Sequence, residues 1–178
     1  MNKTWSISIW IDVEAAKGRN RAMKITRTIS VAAAVWLTTA VAAFAANPHL
    51  GTWKLNESKS KLTPGGPKNN TVSYTEGKNG MIKLTVEGVD KDGKSIHWTW
   101  DGKFDGKSYK AKGNGEFDML ALKPVNDRTN NLTGTKNGKV VATGTITVAK
   151  DGKSRVVNTS GTDANGKKVS EKAYYDKE

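Results

Sequence analysis

Eight Asx-Gly pairs punctuate the chain from residue 79 onward, at short and nearly regular intervals. Asn, Asp and Gly tolerate the positive φ that a type I′ hairpin turn requires at both central residues. Turn signals every ~8–12 residues between β-branched and aromatic runs are typical of a sandwich or barrel of short antiparallel strands. The pairs are Asn79-Gly80, Asp92-Gly93, Asp101-Gly102, Asp105-Gly106, Asn114-Gly115, Asn137-Gly138, Asp151-Gly152 and Asn165-Gly166.

The runs between these pairs predict ten strands. Residues 81–89 alternate cleanly, with Ile82, Leu84 and Val86 on one side, which indicates a half-buried strand. The predicted strands cover residues 50–56, 71–76, 81–89, 94–100, 107–112, 117–125, 128–135, 139–149, 154–162 and 169–177. Pro124 is expected to limit its strand, because proline donates no hydrogen bond to a ladder. Met119 is placed on the same face as Phe117.

Tight hairpins join nearly all of these strands, which favours one closed sheet over a Greek-key sandwich. A meander this long curls strongly, and closure removes its exposed edges. We therefore predict an all-β, antiparallel up-and-down barrel of 8–10 strands, formed as a single domain by residues 46–178. The one long connection, residues 57–70, contains Pro64-Gly65-Gly66-Pro67 and is predicted to be a loop.

The first 45 residues have the pattern of a secretory signal. Lys24 and Arg27 precede an uncharged, alanine-rich run over residues 29–44, and Ala43-Phe44-Ala45 offers small residues at the positions that a signal peptidase reads. Met23 is a natural start for such a signal, so residues 1–22 are either an extension or a long basic region. A membrane anchor is the rival interpretation, but the run is shorter than the ~20 apolar residues of a spanning helix. We expect export, to the periplasm or beyond.

The chain carries a net charge of +12 at pH 7 and no cysteine. Thiol catalysis and cysteine-based metal sites are therefore excluded. A basic balance favours anionic partners such as an envelope surface. Many lysines instead follow a turn glycine, where they keep strand edges soluble. The sequence shows no surface that combines basic and aromatic residues, so we do not expect nucleic-acid binding.

The first predicted strand opens with Gly51-Thr52-Trp53-Lys54-Leu55. A G-x-W motif at the start of an antiparallel meander resembles the calycin superfamily, which contains lipocalins, fatty-acid-binding proteins and avidin-like barrels. The end of the chain, Tyr175-Asp176-Lys177-Glu178, is similar to the terminal Tyr-Glu-Lys-Glu of fatty-acid-binding proteins. Residues 50–56, Lys59-Ser60-Lys61 and 64–67 together resemble small exported lipocalin-like proteins of Gram-negative bacteria.

This resemblance implies that Gly51 and Trp53 lie at the closed end of the barrel. It also implies that a basic side chain from a late strand, Arg155 or Lys172, packs over the tryptophan. Ala173 stands where fatty-acid-binding proteins carry the arginine that holds the fatty-acid carboxylate. The sequence therefore departs from that branch at its ligand anchor.

No residue pattern predicts catalysis or metal binding. His49 is expected in a mobile terminus, and His97 is expected to face solvent opposite two tryptophans. Asp101 and Asp105 each precede a glycine, which favours a turn role over a glycosidase pair. We expect a noncatalytic, monomeric protein without cofactor or metal.

The remaining specific hypothesis is that the barrel holds a small hydrophobic ligand. Ligand pockets are generally lined by apolar and aromatic side chains. The alternative is a solid barrel, in which these residues simply fill the core. Such a protein would act as an envelope interaction module through its lysine-rich turns. The candidate lining residues are Tyr74, Ile82, Leu84, Trp98, Trp100, Met119 and Tyr175.

Overall fold

The computed structural model describes residues 47–162 and 166–178 of the 178-residue chain. The predicted signal over residues 1–45 and its cleavage site lie outside these described residues. Within the described ranges, no helix is long and apolar enough to cross a membrane.

Ten antiparallel strands follow one another around a closed barrel, each paired with its neighbours in sequence. The last strand pairs with the first, through Trp53 opposite Lys177 and Leu55 opposite Tyr175. The prediction of an all-β, up-and-down barrel is confirmed. The strands are β1 Gly51–Leu55, β2 Lys68–Glu76, β3 Ile82–Val89, β4 Ser95–Gly102, β5 Ser108–Lys112, β6 Met119–Asn126, β7 Thr129–Lys136, β8 Lys139–Val148, β9 Ser154–Thr162 and β10 Lys168–Lys177.

The Asx-Gly pairs form their turns in more than one way. Asn137 and Gly138 have φ of 50° and 77°, so both residues take the positive values of the predicted turn. Asn79 and Gly80 do the same, inside a short 3-10 turn. In the pairs that begin with Asp92, Asp105 and Asp151, only the glycine has positive φ.

The pair Asp101-Gly102 does not form a turn, which corrects the prediction. Both residues lie within β4, where Asp101 is opposite Lys83 and Gly102 is opposite Ile82. A Cβ on Gly102 would lie 2.2 Å from the Trp100 ring, so glycine is required here by close packing.

The hairpins alternate between the two ends of the barrel. We call the end that carries the turns after β2, β4, β6 and β8 the plugged end, because residues 47–50 cover it. The other end, the loop end, carries the long connection after β1 and the turns after β3, β5, β7 and β9. Residues 163–165 of the last turn are not described.

The long connection is held against β10. Lys61 and Lys172 form an antiparallel bridge, with N–O distances of 2.8 and 2.9 Å. The backbone N–H of Thr63 donates to the Glu171 carboxylate at 2.9 Å. Asn56 donates to Asp176 at 2.6 Å. These bonds fix the predicted loop along one side of the loop end.

A single apolar cluster forms the core of the barrel. The least exposed of its large side chains are Trp53, Trp100, Leu84, Leu120 and Leu122, each 2% exposed or less. They come from β1, β3, β4 and β6, so the core joins strands that are distant around the barrel. Burial of side chains of this size stabilises the fold by about 1.5–3 kcal/mol each.

Two expectations for β6 are wrong. Met119 lies opposite Lys110 and Thr135 and alternates with Leu120, which is buried in the core, so Met119 faces outward. Pro124 does not end the strand, because β6 continues to Asn126 through a register shift after Pro124.

Candidate ligand-binding interior

Six of the seven predicted lining residues lie in the buried core cluster. Their exposed fractions range from 0 to 6%, and they come from β2, β3, β4 and β10. They are Tyr74, Ile82, Leu84, Trp98, Trp100 and Tyr175. Met119 is the exception, for the register reason given above.

Arg155 is the central charged group of the interior. Its side chain is 2% exposed, and its guanidinium carbon lies 4.8 Å from the ring centre of Trp53, 5.2 Å from Tyr74 and 4.7 Å from Tyr175. A cation among three aromatic faces gains about 0.5–2 kcal/mol per contact. Lys172, the other sequence candidate, lies 5.0 Å from the Tyr174 ring and does not contact Trp53 in this way.

The polar tips of the buried aromatic residues are mostly used within the protein. Trp53 Nε1 donates to the His49 carbonyl at 2.9 Å, and Trp100 Nε1 donates to the Leu120 carbonyl at 2.9 Å. The Tyr175 hydroxyl donates to the Asn69 carbonyl at 3.1 Å. Trp98 Nε1 has only a long contact of 3.5 Å with Asn69 Oδ1, so it is the indole N–H most available to another acceptor.

The plugged end is sealed by His49, which corrects the expectation of a mobile terminus. Its backbone N–H donates to Asn47 Oδ1 at 3.0 Å, and its ring lies edge-on to Phe104 with centres 5.6 Å apart. Phe104 in turn stacks on Trp100 at 6.4 Å. His49 is 2% exposed and therefore belongs to the end wall of the barrel.

The electrostatics of the plugged end are set by burial and by two cations. Burial, and after it the charges of Arg155 and Lys177, lower the pKa of His49 to about 4, so the imidazole is neutral near pH 7. Burial also raises the pKa of Tyr175 to about 12, against the opposing effect of Arg155. The interior therefore holds a neutral phenol beside a permanent cation.

The loop end is more open than the plugged end. Trp98 and Phe117 lie on one side of it, edge to face, with ring centres 5.5 Å apart. The inward register positions of β8, β9 and β10 on the opposite side are half-buried. They hold Glu171 and two valines, Val157 and Val169, beside small residues: Ala142, Gly144, Thr159, Gly161 and Ala173. Inward positions that keep solvent contact indicate that this end of the interior is accessible.

The outer surface carries the remaining predicted features. His97 is exposed on β4, as its position opposite Trp98 predicts. The lysines that follow turn glycines are divided between the ends: Lys103, Lys107 and Lys153 lie at the plugged end, and Lys94, Lys139 and Lys167 at the loop end. They do not form one basic face. Among the described residues, no group of three His, Asp or Glu side chains lies close enough to hold a metal ion.

Four residues that contribute to the two ends were not predicted as site residues. His49 and Asn130 are polar and 2% exposed, Phe104 packs beneath His49, and Phe117 packs against Trp98. The pattern of polar and apolar residues around His49, Asn130 and Phe104 does not indicate that their side chains face the interior. Phe117 was placed inside with Met119, and only Phe117 is found there.

No protein-family model and no curated protein matches the sequence. Among solved structures, the chain is similar to a redesigned β-barrel, mFAP1, bound to DFHBI. The similarity has a TM-score of 0.38 and 16% sequence identity, over 74% of this chain and 95% of that chain. Any ligand of this chain has to be inferred from its own residues.

Proposed function

We propose that the protein is an exported, noncatalytic carrier of the calycin type that holds a small, largely apolar molecule in the loop end of its barrel. The observation that supports this most directly is the contrast between the two ends. The plugged end is closed by buried rings, whereas the loop end combines Trp98 and Phe117 with half-buried inward residues that are mostly small, Glu171 among the exceptions.

The chemistry of the loop end fits an apolar guest with one hydrogen-bond acceptor. Trp98 and Phe117 are only 5% and 7% exposed, so the apolar area that a guest would bury lies mainly on the half-buried residues opposite them, at about 25 cal/mol per Å². Within the part of the chain that the structure describes, the indole N–H of Trp98 has only a long acceptor contact, of 3.5 Å to Asn69 Oδ1. It is therefore the donor we expect to orient the bound molecule.

A second candidate function has an observation in its favour. The core aromatics pack on one another and on Arg155, as in a solid barrel that acts only through its surface. Lysine-rich turns would then contact an anionic envelope surface. The even division of the turn lysines between the two ends counts against a single docking face.

Adding a side chain to the interior distinguishes the two functions. Ala173 faces inward on β10, opposite Val157, so Ala173→Leu inserts volume toward the loop end. In a hollow barrel, the variant folds with little loss of stability and binds less of a neutral lipophilic probe such as N-phenyl-1-naphthylamine. In a solid barrel, overpacking costs about 1–3 kcal/mol of unfolding free energy. Asn131→Leu, on the exposed outer face of β7, is the matched control.

The binding test itself uses probe fluorescence together with native mass spectrometry of the purified protein. The carrier hypothesis predicts saturable probe binding, weakened by Ala173→Leu and unchanged by Asn131→Leu, and a co-purified small molecule. Probe binding that is absent, or equal in both variants, together with a destabilised Ala173→Leu, would support the solid barrel instead.

A further inference from the structure

A cavity lies at the plugged end of the barrel, opposite the end that holds the proposed carrier site. It is a cleft of about 540 Å³ between the 47–50 segment and the turn that joins β6 to β7. Its apolar walls are Pro48, Phe104, Pro124 and Val125. A volume of this order is in the range of small-molecule sites.

Two buried polar side chains line this cleft, and each has one atom without a hydrogen-bond partner among the described residues. His49 and Asn130 are each 2% exposed. His49 Nε2 and Asn130 Nδ2 have no hydrogen-bond partner within the described part of the chain. Leaving a buried donor unsatisfied costs about 1–3 kcal/mol, so two such atoms in one cavity require a reason.

The electrostatic environment of the cleft selects the kind of ligand. Arg155 and Lys177 both act on His49, so the wall of the cleft lies in a positive potential. Arg155 Nε and Nη1 are also buried and have no hydrogen-bond partner in residues 47–162 and 166–178. Asp127 is the opposing charge, and it is exposed at the rim, where water screens it.

We propose that this cleft is a binding site for a small organic acid, whose carboxylate accepts hydrogen bonds from Asn130 Nδ2 and from His49 in its Nε2–H form. Its apolar body lies against Phe104 and Val125. Neutral His49 and an amide provide directional donors, and the nearby cations stabilise the negative charge without contacting it. The carrier site at the loop end is separate, so either proposal can stand without the other.

NMR titration of the purified protein with benzoate tests this site. The readouts are the Asn130 side-chain amide and the His49 ring resonances, and His97 serves as an internal control because the chain has only two histidines. The titration extends to about 20 mM, since ligands with few atoms bind in the millimolar range. We expect saturable shifts at His49 and Asn130 and none at His97.

Three variants locate the effect. Asn130→Asp replaces the donor by a carboxylate and is expected to weaken benzoate binding at least about tenfold. Val125→Asp places a negative charge at the mouth of the cleft without touching the core, because Val125 is 58% exposed, and it is also expected to weaken binding. Asn131→Asp makes the same charge change on the outer face and is expected to leave binding within about twofold.

Four results would overturn the proposal. Shifts that never saturate would show a cleft occupied by solvent alone. Equal binding of benzylammonium, which carries the same ring and the opposite charge, would exclude a carboxylate site. Equal loss in Asn131→Asp and Val125→Asp would show a nonspecific charge effect. Benzoate shifts confined to Trp98 would reject this site while leaving the carrier function intact.

Discussion

Acid should destabilise the protein through His49, and the size of the effect follows from the structure. The pKa of His49 is lowered from 6.5 to about 4, first by burial and then by Arg155 and Lys177. In the unfolded chain the imidazole takes up a proton near pH 6.5. Between these two values the unfolded state binds a proton that the folded state excludes. The contribution of His49 to stability is therefore complete above pH 6.5 and is lost as pH falls toward 4.

The expected loss is about 2 kcal/mol at pH 5 and about 3 kcal/mol at pH 4, from about 1.4 kcal/mol per unit of pKa difference. Urea unfolding of wild type, His49→Gln and His97→Gln at pH 7, 6 and 5 measures it. Carboxylates titrate in all three proteins, so their effect cancels in the comparison. The exposed His97 is the matched control.

His49→Gln should therefore lose about 2 kcal/mol less than wild type between pH 7 and pH 5. His97→Gln should follow wild type. An equal pH dependence for wild type and His49→Gln would refute the placement of His49 in the end wall, because a solvent-exposed imidazole has no such linkage.

Three other predictions concern stability. Trp53→Ala removes a side chain of 0% exposure and should lower the unfolding free energy by about 3–5 kcal/mol, measured by urea unfolding, whereas Val140→Ala, at an exposed position, should change it by less than about 0.5 kcal/mol. Burial raises the pKa of Tyr175 to about 12, so stability should fall as pH rises from 10 toward 12, and Tyr175→Phe should remove that part of the loss in alkaline unfolding curves. Gly88→Ala places a Cβ 1.9 Å from a β2 carbonyl oxygen and should lower the melting temperature. Gly115→Ala is the control, because its Cβ meets nothing within 4 Å and should leave the melting temperature unchanged. Equal effects of the two glycine variants would contradict the close approach of β2 and β3.

The fold was predictable because two local signals agree along most of the chain. Alternation such as Ile82, Leu84 and Val86 identifies a strand and its inward face, and the next Asx-Gly pair ends it. All ten predicted strands are found, most of them displaced by one or two residues. The largest change is β2, which begins at Lys68 rather than residue 71, because its first residues pair with β3 across a register shift.

Local signals failed where the alternation is interrupted. Phe117 and Leu120 both face the core although they are three positions apart, an odd spacing that regular alternation would place on opposite faces. Asn114 Oδ1 accepts from the N–H of Glu116 and of Phe117, so a turn ends there and the strand begins again at Met119 with the opposite phase. Alternation counted from Phe117 therefore places Met119 on the wrong face.

The positions of the polar residues at the plugged end could not be predicted, because they depend on tertiary contacts and on the closure of the barrel. His49 is held by the Trp53 indole, which reaches its carbonyl once β1 is in place. Asn130 lies in a polar stretch and faces inward only because β7 pairs with β6 and β8, opposite Pro124 and Ile146. Arg155 and Lys172 are equivalent as sequence candidates, and only the register of β9 places Arg155 inside.

The carrier account is tested most directly by intermolecular NOEs between bound N-phenyl-1-naphthylamine and the protein. The account predicts NOEs to the ring protons of Trp98 and Phe117 and to the Ala173 methyl group, which come from three different strands or turns and meet only inside the barrel at its loop end. NOEs to outer-face residues such as Val140 alone, with none to Trp98, would show that the probe binds outside and that the interior is filled.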